Sequence, residues 1–386
     1  MTDEDPVPHR DDTKEWGKPV KGRPAGSHEF QVEVIEALEV LASMAQSWND
    51  LLAESRSNTL FLTWEWVYSW TESFIKPQHR LFVLTVHDEN ELIGVAPWYI
   101  QRARYWGLPI KTITFLGGPG PGSDYVDVIA RRGKEKEVAE RLYQFLMDRT
   151  AQWDAVSFQD IPNDSLFLLH FGNAIKAEGK YAEVEAGEFY PRIKLPKTEA
   201  EYLAQLSPKR RRKFAGELRT LERDRKVLYH FVEPQQAEQA LREFDEIDSR
   251  FRDEREDLIR FLGSVIGRCK GTNWVRIMFV NVDGRNIAGL VNFQYAGTLF
   301  GYQMAIDHSF DRRVSLGSVL ISLCIKNAIA EEVPVYDLLR GSEDYKFHWV
   351  NGGRRTLCLT LYTKKFAPVM WMVGRSLKAI IKLLVR

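Results

Sequence analysis

The stretch WVRIMFVNVDGRNIAGLVNFQYAGTLFGYQMA at residues 274–305, followed by SLGSVLISLCIKNAIAEEVPVYDLLR at residues 315–340, decides the fold class. Trp274–Val280, Ile287–Tyr295 and Leu299–Ala305 are short runs rich in β-branched and aromatic residues, the first two joined by a VDGR turn, and they predict a meander of strands. The period then changes: Ser318–Ala330 reads as a helix, and Val335–Leu338 returns to a strand. Three helical segments precede this unit, a basic one over Tyr202–Arg225, then Gln236–Phe251 and Asp257–Cys269.

A similar order stands earlier in the chain. Phe30, Val32 and Val34 alternate with polar residues as a half-buried strand. Leu38, Leu41, Ala45, Trp48 and Leu52 then share one helical stripe, and Trp64, Val67 and Trp70 mark a second helix. Leu81–Val86 and Leu92–Tyr99 flank a DEN turn as a hairpin, with further strands at Ile110–Phe115, Tyr125–Ile129 and Ala155–Phe158 and a helix over Glu135–Leu146. The hairpin DENELIGV (88–95) matches DGRNIAGL (283–290), and WDAVSF (153–158) matches VYDLLR (335–340). Two copies of one unit follow, with Asp154 and Asp337 expected at equivalent strand positions. The predicted class is α/β (α+β), each unit a mixed, mostly antiparallel sheet flanked by helices. The expected divisions are a flexible tail over 1–29, units over 30–195 and 196–365, and a basic amphipathic helix over 366–386.

Composition narrows the function. With 53 basic and 53 acidic residues the formal charge is zero, so no global field draws the chain to DNA, and a charged partner needs a local patch. Cys269, Cys324 and Cys358 are odd in number and without a CxxC pattern, which speaks against a disulfide framework or a structural zinc and for a reducing cytoplasm. No run approaches the roughly 18 apolar residues of a spanning helix, and the N-terminus lacks the pattern of an export signal. In residues 366–386, Arg375, Lys378, Lys382 and Arg386 lie opposite Leu377, Ile380, Ile381 and Leu384. That pattern suits either the inner face of a membrane or docking on the chain's own domain.

The segments FLTWEWVYSW, LIGVAPWYI, FLGGPGPGSDYVDVI, IAGLVNFQYAG, SLGSVLISLCIKNAIAEEV and YDLLRGSEDYKFHW, spanning residues 61–349, resemble the GNAT acyltransferase branch typified by the cellulose-biosynthesis protein CelD, a relative of the Fem peptidyltransferases. The resemblance implies two tandem GNAT-like domains, an acyl-CoA or comparable activated donor without a metal, and a part in making or modifying an extracellular polysaccharide or cell-envelope molecule. Its Fem side implies, as an alternative, aminoacyl transfer from charged tRNA; a third reading is a non-catalytic scaffold. The loop RRVSLGS departs from the fuller glycine-rich loop of acetyl-CoA users.

The candidate residues follow from what transfer needs. A donor pyrophosphate needs converging N–H groups at a helix start, which Arg312, Arg313, Ser315, Gly317 and Ser318 are placed to supply, Ser315 as a cap; an ordinary capped helix fits the same residues. Attack on an acyl group needs a base and positive or N–H density for the oxyanion. In the run 341–349, Glu343 and His348 are candidate bases, Lys346 the oxyanion or phosphate partner and Tyr345 the acid for the leaving group, with Trp349 beside the substrate. Simple aromatic anchoring of the sheet edge accounts for the same run. Asp124 and Asp127, in a loop opened by GGPGPG, suit an acceptor amine or hydroxyl, or a local turn. Arg211, within the block Lys209–Lys213, suits a phosphorylated acceptor or tRNA, or a solvated helix flank without the aromatic interleaving of a nucleic-acid platform.

Overall fold

The computed structural model describes residues 30–105, 108–118, 122–223, 225–247, 252–341 and 346–364. The expected tail over 1–29 and helix over 366–386 lie outside them, as do Glu343 and Tyr345. The first half runs β1 (Gln31–Ile35), α1 (Leu38–Ser43), α2 (Ala45–Ala53), α3 (Trp64–Phe74), β2 (Arg80–Leu81), β3 (Val83–Asp88), β4 (Glu91–Ala96), β5 (Trp98–Tyr105), β6 (Leu108–Phe115), β7 (Ile129–Ala130), α4 (Glu135–Met147), β8 (Ala155–Pro162), α5 (Leu166–Ala177) and β9 (Ala182–Lys194). The second runs α6 (Glu199–Gln205), α7 (Pro208–Glu222), β10 (Val227–Phe231), α8 (Ala237–Ile247), α9 (Arg252–Arg268), β11 (Val275–Val282), β12 (Arg285–Tyr295), β13 (Thr298–Ile306), α10 (Leu316–Ala330), β14 (Val335–Asp337) and β15 (Gly352–Tyr362).

The class is the expected one, mixed and mostly antiparallel sheets flanked by helices; the two halves repeat one arrangement of strands, and a pseudo-symmetric sheet joins them. From the central β9–β15 pair the order is β14, β13, β12, β11, β10 on one side and β8, β6, β5, β2 on the other. Pro97 interrupts β4–β5 and Phe82 interrupts β2–β3, so β1, β3, β4 and β7 form a separate sheet. In each half two parallel neighbours are linked through a helix, β13 to β14 by α10 and β6 to β8 by α4. The last strand of each half pairs with the other half: β9 lies against β14, and β15 against β8. The parallel ladders open at Thr298↔Val335 and Thr112↔Ala155, so Val335 corresponds to Ala155. Asp337 is thus the third residue of β14 whereas Asp154 precedes β8, and the expected equivalence of the two aspartates is corrected.

Local chemistry explains most other differences. The single basic helix expected over Tyr202–Arg225 is two, because Pro208 takes the first position of α7 and Ser207 accepts the Arg210 N–H as its cap. The strand expected over Tyr125–Ile129 shrinks to β7, since Tyr125 sits at φ 54, which ends extended pairing. One core cluster bridges the halves: Trp66 of α3 meets Phe261 of α9 at 5.1 Å and Phe293 of β12 at 5.4 Å between ring centroids, both edge to face. Among the described residues no helix is long and apolar enough to cross a membrane.

Candidate active site

The parallel pairing of β13 with β14 stops at Phe300↔Asp337, and the strands then part. On β13 the register slips, Asn292 facing Gly301 and Val291 facing Gln303, so Tyr302 is the extra residue of a bulge and drops out of the ladder. On the other side the chain turns after Asp337, whose Oδ1 accepts the Leu339 N–H at 2.8 Å while Leu339 adopts φ 56. Between them lies a cavity of about 420 Å³, walled by Gly301–Met304 and Leu338–Arg340. It reaches both faces of the sheet, because Gly122, Asp124 and Leu258 line it on the side of α9 and Leu290 and Ile321 on the side of α10.

The first half supplies one wall. Gly122, at φ +136, lies so close to Trp70 that a Cβ would stand 2.6 Å from its Cδ1, a fit only glycine permits. The Trp66 indole N–H donates to Ser123 Oγ at 2.8 Å and the Tyr302 hydroxyl to the Gly122 carbonyl at 2.9 Å. These bonds place Asp124, which is 4% exposed, at the cavity. Its Oδ1 accepts from Arg340 Nε at 2.6 Å and from the Tyr190 hydroxyl at 3.0 Å. Arg340 also meets Asp160 at 3.4 Å, and Tyr190 donates to Asp160 at 3.2 Å. Burial pushes the Asp124 carboxyl up to about 6, with the Arg340 guanidinium opposing it. Behind it Asp337 takes Arg192 Nε at 2.5 Å and the Tyr125 hydroxyl at 2.8 Å, and burial again raises its proton affinity.

Lys346 lines the same cavity, 7% exposed, with Nζ donating to the Arg340 carbonyl at 2.6 Å. Of the expected site residues, Asp124 and Lys346 thus converge there. Asp127 stands apart: its Oδ1 accepts from Ser165 Oγ at 2.9 Å and from the Val128 N–H at 2.8 Å, and burial raises its carboxyl to about 7. Trp349 is buried in the C-terminal core and its carbonyl accepts from the Tyr202 hydroxyl; His348 and Arg211 are exposed and neither lines the cavity.

The expected donor loop sits at the start of α10. Ser315 precedes the helix without a side-chain cap, its Oγ meeting Ser318 Oγ at 2.9 Å, so the expected capping role is corrected. Its backbone N–H donates to the Glu217 carboxylate of α7 at 2.8 Å. A carboxylate therefore occupies the position where a helix start favours an anion. Gly317 packs on Met304, a cavity residue, which brings the start of α10 to the cavity rim. Arg313 pairs with Asp311 at 2.7 Å, and Arg312 is exposed.

The corresponding opening of the first half is filled. Beyond Ile113↔Val156, Phe115 and Phe158 meet at 4.7 Å, and Trp98 stacks on Phe158 at 4.9 Å. Sequence reading missed Arg340, Tyr190 and Asp160, whose partners lie 30 to 216 residues away. The one signal was an arginine closing the strand before Gly341.

Residues 208–347 match the family described as acetyltransferase (GNAT) domain. The match spans α7 to Lys346 and includes the cavity's C-terminal walls. Among solved structures, FemX aligns with a TM-score of 0.56 at 11% identity over 83% of this chain and 96% of its own. The C-terminal domain of a putative lysylphosphatidylglycerol synthetase from Agrobacterium fabrum aligns at 0.53, with 9% identity, over 87% and 97%. The L-PGS of Bacillus licheniformis aligns at 0.52, with 12% identity, over 85% and 95%. At these identities the likeness is one of fold. No curated protein matches the chain.

Proposed function

We propose that the chain is an acyltransferase that carries an acyl group from acyl-CoA, or a comparable activated donor, to an amine or hydroxyl of a polysaccharide or cell-envelope precursor. The observation that carries this reading is the cavity through the sheet at the β13–β14 divergence, lying within the residues that match the GNAT family. A donor enters from the α10 face, its phosphates held at Ser315, Gly317 and Ser318 with Arg312 and Arg313 nearby, once Glu217 yields. An acceptor enters from the face carrying Asp124. Lys346 stands where a cation stabilises the oxygen charge that develops as the acceptor attacks. Glu343, Tyr345 and His348 remain candidates for proton transfer, and Asp127, Arg211 and Trp349 for acceptor contacts. The division into 30–195 and 196–365 is part of the same proposal, as is a cytoplasmic location with residues 366–386 resting on the inner face of the membrane. Deleting 366–386 is expected to weaken binding to anionic vesicles, each basic residue contributing about 1 kcal/mol.

A thermal-shift series with acetyl-CoA, longer acyl-CoAs, free CoA and charged tRNA tests the reading. A ligand at 100 times its Kd stabilises by about 2.7 kcal/mol. Stabilisation by CoA or its thioesters is the expected result. Stabilisation by charged tRNA alone favours aminoacyl transfer, which the exposed Lys209, Arg211, Arg212 and Arg219 of α7 also suit, and no shift at all favours a scaffold.

A further inference from the structure

We propose that Asp124, supplied by the N-terminal half, is the general base of the transfer at the cavity of the C-terminal half. The inference rests on the acyl-transfer reading above. Both hydrogen bonds to the carboxylate fall on Oδ1, from Arg340 and Tyr190, so Oδ2 keeps its lone pairs for a proton arriving in the cavity that Asp124 lines. The position is fixed from three sides by Trp66 on Ser123, Tyr302 on Gly122 and Arg340 on Asp124, the restraint that base catalysis needs.

The groups around it set its basicity. Arg340, following β14, favours the carboxylate; Asp160 on β8 opposes it, and shares Arg340 at 3.4 Å. Tyr190 on β9 donates to it, and Tyr302 on β13 and Lys346 share the cavity. Burial outweighs the arginine and leaves a carboxyl near 6, ionised at neutral pH and still basic enough to accept a proton. In the step, the acceptor nitrogen or oxygen bonds to the acyl carbon, its proton goes to Asp124, and the C–S bond breaks. The leaving thiolate takes a proton from water, and Asp124 returns its own to solvent. Lys346, on the opposite chain segment, faces the oxygen that gains charge.

The test uses acetyl-CoA with water as acceptor, following release of the CoA thiol from pH 5 to 9, and needs no knowledge of the natural acceptor. The parent is expected to show an acid limb near pH 6. Asp124→Asn keeps an oxygen for Arg340 and Tyr190, and is expected to release thiol at least about a hundredfold more slowly, without that limb. Asp160→Asn removes a charge that adds to burial in raising the Asp124 carboxyl, so its limb moves to lower pH. Acetyl-CoA is expected to stabilise Asp124→Asn and parent alike, which separates lost chemistry from lost donor binding. An Asp124→Asn protein releasing thiol within a few fold of the parent, with the acid limb in place, overturns the assignment. A parent that neither binds nor cleaves acetyl-CoA or longer thioesters overturns the acyl-transfer reading itself, and the inference with it.

Discussion

The two halves share a strand arrangement and differ at the point where their parallel strands part. In the C-terminal half Gly301 and the bulged Tyr302 follow the last pair, and a cavity of about 420 Å³ opens. In the N-terminal half Phe115 and Phe158 follow it, and with Trp98 they close the gap. One scaffold thus yields either a site or a core according to the size of a few side chains, in keeping with function residing in sites carried on a fold. The N-terminal half contributes to the site all the same, through the loop that carries Asp124 across to the other half's opening.

The largest expected effect tests the filled gap. Phe158→Ala removes the ring that Trp98 and Phe115 pack on, and is expected to cost about 3–5 kcal/mol in stability by denaturant unfolding. Donor affinity of the folded protein should hold; its loss would show that the N-terminal gap also bears on ligand.

The next effect concerns a buried acid of the same half, Asp127, held by Ser165 and the Val128 N–H. Asp127 has its carboxyl raised to about 7 by burial, so the stability it contributes is complete below about pH 4 and is lost as pH rises through about 7. Asp127→Asn keeps an acceptor for Ser165 and Val128. Relative to the parent it should gain up to about 4 kcal/mol between pH 4 and pH 8, read as Tm against pH. Parallel curves would show that the carboxyl titrates as in an open chain.

Lys346→Met sharpens the comparison from the open side. Turnover is expected to fall about 10²–10³-fold, equivalent to roughly 2.7–4 kcal/mol. The sequence alone suggests a near-normal Tm, since methionine keeps most of the aliphatic stem. The burial of Lys346 and its bond to the Arg340 carbonyl instead predict a stability loss of about 1–3 kcal/mol as that carbonyl loses a donor. Turnover within a few fold of the parent removes Lys346 from the mechanism. The smallest effect is at the helix start: Glu217→Gln frees the Ser315 N–H of a competing carboxylate, worth about 0.3–1 kcal/mol, or a two- to fivefold gain in CoA affinity by calorimetry. Unchanged affinity places the donor phosphates elsewhere.

Much of this was legible before the fold was seen, for reasons of range. The meander of β11–β13, the helix α10 and the repeated hairpin rest on local periodicity, and each stands within a few residues of its expected bounds. The exchange of β9 and β15 between halves was not legible, because Lys194↔Val335 and Tyr362↔Ala155 join positions far apart in sequence and leave no local trace. The site divides in the same way. Lys346 stood out from its place after a strand, whereas Tyr190 and Asp160 look like ordinary strand residues until the fold sets them against Asp124.

Calorimetric titration of CoA into the parent and into Met304→Trp, which fills the cavity from β13, tests the central claim most directly. The parent should bind one CoA per chain, and Met304→Trp, folded at an overpacking cost of about 1–3 kcal/mol, should bind none. Two equivalents per chain, or undiminished binding by Met304→Trp, would contradict a single donor site at the opening between β13 and β14.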